Sequence, residues 1–254
     1  MTRIGILYIG IGRYSCFWPK FYESSERFLV AEAEKHYYVF TDKEEQIERN
    51  DRIEVFHQDD MGWPCNSLLR FKMFNRIKDQ LRLNDYLFFF NSNAEIVQPV
   101  AAADILPDTE DYSALCLSTD IESMGLEYRP QSAAYVKKGD APYYFSGALN
   151  GGKCLPYIAL IEACDRLVDT DLQNGIMPVW HDESVLNRFM VGKSAKVVYR
   201  DMGKPENWRE PRGAKIILRR KESVLGSGWL RRYKGREHTN TWLRKLLRKA
   251  GLVK

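Results

Sequence analysis

The sequence predicts an α/β fold built on a mainly parallel central sheet in one principal domain. Four strand-like segments alternate with two helix-like segments, at residues 4–9, 37–40, 53–56 and 86–90 and at residues 17–35 and 67–81. This alternation is typical of parallel sheets, because each helix carries the chain back to begin the next strand in the same direction. The 254 residues are 44% hydrophobic, which is enough for a full core.

The second half of the chain continues the pattern with less regular spacing. A short strand at 143–145 precedes a glycine-rich turn at 147–152, a helix at about 155–169 and a second helical stretch at 183–190. The glycines would either let the backbone approach a ligand closely or simply close a hairpin.

The five cysteines are odd in number and irregularly spaced, so they predict neither a disulfide framework nor a zinc site. A reducing compartment fits this usage. The apolar start of the chain is too short for a signal peptide or a membrane span, and no other segment is apolar enough to cross a bilayer.

The net charge of +4 conceals a strong asymmetry. From Lys215 onward thirteen Lys and Arg residues face only Glu222 and Glu237, a charge of +11 that leaves −7 on the rest of the chain. A basic terminal segment on an acidic body indicates an anionic partner, which could be a nucleic acid, a membrane surface or a phosphate ligand.

Residues 242–250 help to choose between these anionic partners. Trp242 and three leucines recur at a spacing of three to four residues, and Arg and Lys residues lie between them. This pattern is typical of a helix that lies on an anionic membrane surface. The alternative is a solvated helix docked on its own domain. We do not expect nucleic-acid binding, because the segment has no aromatic interleaving beyond Trp242 and no recognisable reader fold.

The apolar run from Asp85 to Phe90 ends abruptly in Asn91-Ser92-Asn93. Such a run predicts a strand buried on both faces, and open α/β sheets bind ligands at the carboxyl ends of such strands. Sugar-nucleotide enzymes usually carry an Asp-x-Asp pair here that holds a divalent metal on a diphosphate. With two neutral amides, the diphosphate would need another source of positive charge. The alternative is an ordinary strand end followed by a polar turn.

A second polar cluster, Trp180-His181-Asp182-Glu183-Ser184, places an indole, an imidazole and two carboxylates side by side. In an extended segment Asp182 and Glu183 would face opposite ways, so that only one of them could address a given substrate atom. The alternative interpretation is a polar loop without a chemical role.

Taken in order, a series of motifs resembles the family 6 glycosyltransferases, and most closely their bacterial members. The motifs are Tyr37-Tyr-Val-Phe-Thr-Asp42, Gly62-Trp-Pro with Ser67-Leu-Leu-Arg70, Asp85 to Asn93, Arg129-Pro-Gln-Ser132, Tyr143 to Gly152, Asn174-Gly-Ile and Trp180 to Asn187. The resemblance runs from about Arg3 to Lys221. It implies a GT-A fold with a Rossmann-like sheet over residues 1–218, followed by a basic tail at 219–254.

The resemblance also implies an activity. Members of the family transfer galactose or N-acetylgalactosamine from a UDP-sugar to the 3-position of a galactoside with retention of configuration. Bacterial members carry Asn-x-Asn and are metal-independent, so no cofactor is expected. The alternative is a non-catalytic sugar-binding or membrane-surface protein on the same fold, although an intact Glu183 beside His181 and Asp182 favours an enzyme.

By resemblance Glu183 is the catalytic carboxylate, acting as nucleophile or as ion-pair stabiliser. Acceptor-binding positions are Thr119, Trp180 and His181. Ser146 and Ala148 match the two positions that sort the donor sugar, and their small size leaves galactose and N-acetylgalactosamine both open. The full set of donor-binding positions is Ile9, Gly10, Ile11, Tyr14, Arg70, Asn91, Ser92, Asn93, Ser146, Gly147, Ala148, Asp182 and Lys221.

The chain departs from the family in the acceptor loop, where residues 118–129 are shorter and Gly125 falls near the usual acceptor-binding threonine. The acceptor therefore stays open as a galactoside with or without fucose, either soluble or lipid-linked. For the diphosphate we expect Lys221 first, with Arg219, Arg231 and Arg232 behind it. The amphipathic tail predicts a cytoplasmic enzyme held at the inner face of the membrane.

Overall fold

A computed structural model describes residues 1–207 and 213–235 of the chain. The amphipathic segment predicted at 242–250 therefore lies outside the described residues. Within the described part, no helix is both long and apolar enough to cross a membrane.

A seven-stranded sheet forms the centre of the molecule, in the order β3-β2-β1-β4-β7-β6-β8. Strands β1 to β4 pair in parallel, whereas β7 runs antiparallel to both of its neighbours, and β6 and β8 pair in parallel. The strands are β1 Arg3–Ile9, β2 Glu34–Thr41, β3 Ile53–His57, β4 Tyr86–Phe90, β6 Tyr112–Ser118, β7 Tyr144–Lys153 and β8 Ala195–Tyr199. The prediction of a mainly parallel α/β sheet is confirmed, and the fold is GT-A-like.

Helices cover both faces of this sheet. The helices of the described residues are α1 Trp18–Phe28, α2 Cys65–Leu68, α3 Arg70–Asn75, α4 Lys78–Leu81, α5 Ala102–Ile105, α6 Ile121–Met124, α7 Cys154–Gln173, α8 Asp182–Met190, α9 Lys221–Leu225 and α10 Ser227–Gly235, with short 3-10 turns at Gly12–Phe17 and Glu44–Gln46. Helix α1 packs on one face of the sheet, and α3 and α7 pack on the other.

Strand β4 is buried on both faces, as its unbroken apolar sequence predicts. Leu87 and Phe89 face one core, which α3 and α7 cover, while Phe88 and Phe90 face the other core, which contains residues of α1. Side chains alternate across a strand, so each core receives every second residue of the run. The strand end, with Asn91 and Ser92, is thereby fixed at the centre of the sheet.

Two predicted helices are shorter than expected. The helix predicted at 17–35 ends at Phe28, because residues 34–36 pair with residues 3–5 in the sheet and this pairing overrides a helix-compatible sequence. The helix predicted at 67–81 is three short helices, interrupted at Leu69 and at Arg76–Ile77. The interruptions change the direction of the chain, and Arg70 and Phe71 are both buried. The spacing of apolar residues does not predict that a charged residue such as Arg70 is buried.

The prediction of a glycine-rich turn at 147–152 is wrong, since these residues lie inside the continuous strand β7. A Cβ atom at Gly151 would lie 2.3 Å from the ring of Phe88, and one at Gly152 would lie 2.4 Å from the carbonyl oxygen of Asp111. These glycines therefore serve close packing between neighbouring strands.

A small second sheet brings the C-terminal segment back to the body. It has the order β5-β10-β9, formed by β5 Ala94–Ile96, β9 Gly203–Pro205 and β10 Ile216–Leu218. Strand β5 directly follows Asn91-Ser92-Asn93, and β10 directly precedes α9. The predicted phosphate-binding segment is thus tied to the strand end that carries the two amides.

Candidate active site

Two adjoining pockets lie at the carboxyl ends of β1 and β4. The first has a volume of about 110 Å³ and collects aromatic, amide and charged side chains from six parts of the chain. It is lined by Ile9, Ile11, Tyr14, Trp63, Asn66, Ser67, Arg70, Phe89, Asn91, Ser92, Asp182, Lys221, Tyr233 and Lys234.

The second pocket has a volume of about 450 Å³ and contains the predicted catalytic carboxylate. It is lined by Trp63, Ser67, Asn91, Ser146, Gly147, Ala148, Val179, Trp180, His181, Asp182, Glu183 and Lys221. Trp63, Ser67, Asn91, Asp182 and Lys221 line both pockets. The two volumes therefore form one connected site.

The structure brings most of the predicted site residues together in these linings, with three exceptions. Gly10 lies between Ile9 and Ile11, with its backbone N–H bonded to the carbonyl of Phe40. Asn93 turns away and donates from its side-chain amide to the carbonyl oxygen of Arg219 at 2.7 Å. Thr119 is exposed and lies outside both linings.

The carboxylate of Glu183 has hydrogen-bond donors on both oxygens. The hydroxyl of Tyr144 donates to Oε1 at 2.5 Å, and the backbone N–H of Gly147 donates to Oε2. Burial raises the pKa of Glu183 and the charge of Asp182 adds to this, while the two donors and Arg70 act in the opposite direction. The carboxylate of Glu183 is therefore desolvated and fixed by two hydrogen bonds at the wall of the larger pocket.

Asp182 and Glu183 both line the larger pocket, contrary to the expectation from an extended segment. They occupy the first turn of α8, which brings both carboxylates against the same strand. A Cβ atom at Gly147 would lie 3.1 Å from Asp182 Oδ2 and 3.2 Å from Glu183 Oε2. Glycine at this position lets the two acidic groups approach β7.

Arg70 supplies the buried counter-charge to Asp182. Its side chain is 2% exposed, and its Nη1 lies 2.7 Å from Asp182 Oδ2 and donates to the carbonyl of Gly147 at 2.7 Å. The guanidinium also lies over the rings of Phe71 and Phe89, at 4.7 and 4.5 Å from their centroids. This arrangement fixes Arg70 and Asp182 between the two pockets.

His181 adopts a backbone conformation that favours glycine, with φ +54° and ψ −120°. Its backbone N–H donates to the carbonyl of Pro178, and its imidazole packs edge-on against Trp63 with centroids 5.1 Å apart. Burial lowers the pKa of His181 and Lys234 lowers it further, while the charge of Asp182 acts in the opposite direction. The imidazole thus sits directly before α8, on a residue whose strained backbone conformation the surrounding contacts maintain.

The acceptor loop is bonded to the wall that carries Trp180. The indole N–H of Trp180 donates to the carbonyl of Gly125 at 3.0 Å, while the Trp180 side chain remains 49% exposed. Glu127 is 1% exposed; it accepts the backbone N–H of Val179 at 2.9 Å and pairs with Arg129. Residues 125–127 are therefore anchored beside the exposed indole.

Two lysines approach the pockets from the C-terminal segment. Lys221 lines both pockets, and burial together with the charge of Lys234 lowers its pKa to about 8. Lys234 lines the first pocket, where its Nζ lies 5.7 Å from the centroid of Trp63. Of the other expected cations, Arg219 pairs with Glu95 and Glu206, and the exposed Arg231 and Arg232 lie outside both linings.

Tyr14 lines the first pocket within an aromatic cluster that includes helix α10. The centroid of the Tyr14 ring lies 6.1 Å from that of Trp229 and 6.3 Å from that of Tyr233. The Nζ atom of Lys221 lies 5.4 Å from the centroid of the Tyr14 ring. Tyr233 accepts a hydrogen bond from Asn66 and donates one to Asp60. Helix α10 is thereby fastened over the first pocket.

The donor set around the strand end is poor in metal ligands. No group of three or more His, Cys, Asp and Glu side chains suited to a metal ion occurs among residues 1–207 and 213–235. At the first pocket the structure offers the neutral amide of Asn91, the side chain of Lys221 and one carboxylate, Asp182, which is paired with Arg70.

Sequence reasoning missed several residues of the site. Trp63 and Ser67 stand within a motif quoted above, and Tyr144 is the first residue of the glycine-rich strand β7. Tyr233 and Lys234 follow the expected cation Lys221 by about three helical turns, and the basic character of this segment was their only signal.

Comparison with known proteins agrees with this geometry. The sequence model of glycosyltransferase family 6 matches residues 1–220. The O-antigen biosynthesis glycosyltransferase WbnI of Escherichia coli is 34% identical over 227 residues, covering 86% of this chain and 95% of that protein.

Two mammalian proteins are also similar. Globoside alpha-1,3-N-acetylgalactosaminyltransferase 1 of Mus musculus is 28% identical, over 90% of this chain and 68% of the mouse protein. Histo-blood group ABO system transferase 1 of Rattus norvegicus is 26% identical, over 75% of this chain and 57% of the rat protein. The chain therefore belongs to glycosyltransferase family 6 and is a hexosyltransferase.

Proposed function

We propose that the protein is a metal-independent, retaining transferase that moves galactose or N-acetylgalactosamine from a UDP-sugar to the 3-position of a galactoside in α linkage. The observation that carries the proposal is Glu183, held by two donors at the wall of a pocket that also contains the small residues Ser146, Gly147 and Ala148 and the side chain of Lys221. The name of the Mus musculus relative supports the α-1,3 linkage.

Retention of configuration requires the leaving group and the incoming hydroxyl to use the same face of the sugar, or a covalent sugar intermediate between two inversions. Both routes need a carboxylate near the anomeric carbon, where positive charge develops. Glu183 lies beside Gly147 and so close to the two predicted sugar-sorting positions, Ser146 and Ala148. In either route Glu183 acts on the anomeric carbon.

The position of the positive charge supports metal independence. Asn91 lines both pockets without a charge, whereas Lys221 lines both and Lys234 lines the first. A diphosphate across the junction of the pockets would be neutralised by these ammonium groups, which also stabilise the leaving UDP. Tyr14 would contact the uracil base from within its aromatic cluster.

The acceptor would enter along Val179 and Trp180, where an exposed indole offers its face to a sugar ring. The name of the Escherichia coli relative supports a role in surface-glycan assembly. A lipid-linked acceptor at the inner face of the membrane fits this role and the basic, amphipathic sequence of residues 242–250.

The proposal is tested with a panel of UDP-sugars against plain and fucosylated galactosides, with linkage and anomeric configuration determined by NMR. We expect an α-1,3 product from UDP-galactose or UDP-N-acetylgalactosamine, and turnover that survives EDTA. Glu183→Gln should lower kcat at least about a hundredfold while UDP binding changes little, since its charge matters mainly in the transition state.

Three outcomes would contradict parts of this proposal. Activity lost in EDTA and restored by manganese would overturn metal independence. A β-linked product would overturn retention. UDP-sugar binding without turnover on any acceptor would favour the alternative, a non-catalytic sugar-binding protein.

A further inference from the structure

We propose that Tyr144 is a positioning residue that fixes the orientation and the ionised state of Glu183. The inference rests on the proposed role of Glu183 as the carboxylate at the anomeric carbon. Tyr144 begins strand β7, and its ring belongs to a small core with Leu126 and Val136 next to the acceptor loop.

The geometry of the pair is constrained from both sides. The side chain of Tyr144 is 2% exposed, and its hydroxyl reaches Oε1 of Glu183 at 2.5 Å. One turn beyond Glu183 on α8, Asn187 donates to the carbonyl oxygens of Glu183 and Phe145 and accepts the backbone N–H of Phe145. Helix α8 is thus locked to β7, so the Tyr144 hydroxyl and the carboxylate are held opposite each other.

Tyr144 and Gly147 act as a pair of donors from one strand. Gly147 donates its backbone N–H to Oε2, three residues after Tyr144 donates to Oε1. A carboxylate held at both oxygens cannot rotate freely, and a fixed direction of approach to the anomeric carbon lowers the entropic cost of reaching the transition state. Of the two donors, the hydroxyl is the one that a substitution can remove.

The charged and titratable groups around Glu183 come from several elements. Asp182 adjoins it on α8, Arg70 approaches from α3, and His181 and Lys221 line the same pocket. Burial and the charge of Asp182 favour the neutral acid, against which Tyr144, Gly147 and Arg70 favour the carboxylate. Removing one of these three should therefore extend the pH range over which Glu183 is protonated and inactive.

Tyr144 itself remains a donor at any working pH. Burial raises its pKa far above the ordinary tyrosine value, and the nearby charges of Glu183 and Asp182 raise it further. Its proton therefore stays on the phenol while the Tyr144 ring holds the hydroxyl in place.

The test compares Tyr144→Phe with Tyr157→Phe in the full-length enzyme. Tyr157 is a matched control, because it is also fully buried beside β7 and its hydroxyl donates to Asn150 at 2.7 Å without touching Glu183. We measure kcat, the donor KM, the Kd of UDP and the acid limb of kcat/KM against pH. The position of that limb does not depend on the fraction of enzyme that is folded, as long as this fraction is the same at every pH measured.

We expect Tyr144→Phe to lower kcat roughly tenfold or more and to move the acid limb upward by about one pH unit, because a hydrogen bond to a charged group is lost. The Kd of UDP should stay within about twofold, since bound UDP would lie toward Lys221 rather than Tyr144. Tyr157→Phe should leave the acid limb in place even if it lowers the melting temperature.

An acid limb that does not move in Tyr144→Phe would overturn the inference, as would an equal shift in Tyr157→Phe. These results differ from failure of the proposed function. If Glu183→Gln keeps its activity, the proposed chemistry itself is wrong, whereas an inactive Glu183→Gln beside an unchanged Tyr144→Phe would reject only the role of Tyr144.

Discussion

Asn93 and Arg219 exchange two hydrogen bonds across 126 positions of sequence. The side-chain amide of Asn93 donates to the carbonyl of Arg219 at 2.7 Å, and the backbone N–H of Arg219 donates to the carbonyl of Asn93 at 2.8 Å. The second amide of the Asn-Ser-Asn motif therefore anchors the C-terminal segment, whose next helix begins with Lys221.

This relationship predicts that Asn93→Asp loosens the C-terminal segment. A carboxylate cannot donate, and here it would face a carbonyl oxygen in a buried position. We expect a loss of about 1–3 kcal/mol of stability and a higher donor KM, measured by urea denaturation and steady-state kinetics. Asn91→Asp is the control, since that side chain faces the pockets and should raise the donor KM with little effect on stability. Unchanged stability in Asn93→Asp would contradict the anchoring role.

A second prediction concerns the buried pair of Arg70 and Asp182, 2.7 Å apart. Asp182→Asn leaves the guanidinium inside the protein without its counter-charge, so we expect a loss of about 3 kcal/mol of stability and a large loss of kcat. Asp169→Asn is the matched control, because Asp169 pairs with the half-exposed Lys72 at 2.8 Å and should cost less than about 1 kcal/mol. Equal losses of stability in Asp182→Asn and Asp169→Asn would show that the buried ion pair stabilises the protein no more than the exposed one.

How far the sequence predicts this site depends on how local each contact is. The strand ending at Asn91 and the carboxylate at Glu183 follow from apolar patterning and motif order. The bond between Tyr144 and Glu183 joins residues 39 positions apart, and it depends on how α8 lies across β7. Likewise Gly151 resembles a turn residue until Phe88 of the adjacent strand is known to occupy the space of its missing side chain. Such pairings arise from tertiary packing, which no single segment encodes.

The third prediction uses the strained backbone of His181, whose φ is +54°. Two variants remove the imidazole, but only glycine also relieves the strain. We expect His181→Gly to be more stable than His181→Ala by about 1 kcal/mol in thermal or urea denaturation, even though glycine is the more flexible residue in the unfolded chain. Both variants should raise the acceptor KM. If His181→Ala is more stable than His181→Gly, the surrounding contacts do not hold residue 181 in this conformation.

The fourth prediction concerns the pH dependence of donor binding. Burial and Lys234 lower the pKa of Lys221 to about 8, so in the free enzyme its charge is present below that pH and is lost as the pH rises through it. Because a diphosphate binds the charged form, kcat/KM for the donor should fall above about pH 8. Lys221→Arg keeps its charge to much higher pH and should move this alkaline limb upward. If the alkaline limb lies at the same pH in the unsubstituted enzyme and in Lys221→Arg, a group other than Lys221 causes it.

The fifth prediction separates two roles of the basic C-terminal segment. Lys221, Tyr233 and Lys234 line the first pocket. Residues 236–254 lie outside the described residues and include the amphipathic stretch at 242–250. A chain that ends at Thr239 keeps all three pocket residues, so we expect unchanged turnover on a soluble acceptor. The same chain should lose binding to vesicles that contain phosphatidylglycerol, since it lacks the basic amphipathic stretch.

A chain that ends at Leu218 should instead raise the donor KM at least about tenfold or lose activity, because both lysines are gone. That truncation also removes the ion pairs of Arg219 with Glu95 and Glu206, so instability alone could produce the same loss. The full-length variant with Lys221→Met and Lys234→Met distinguishes the two causes, since it keeps Arg219 and the tail. We expect it to bind vesicles normally and to reproduce the rise in donor KM. A normal donor KM in this double variant would place the phosphate contacts in the body of the domain. Vesicle binding by the chain that ends at Thr239 would show that the residues beyond Thr239 do not bind the membrane.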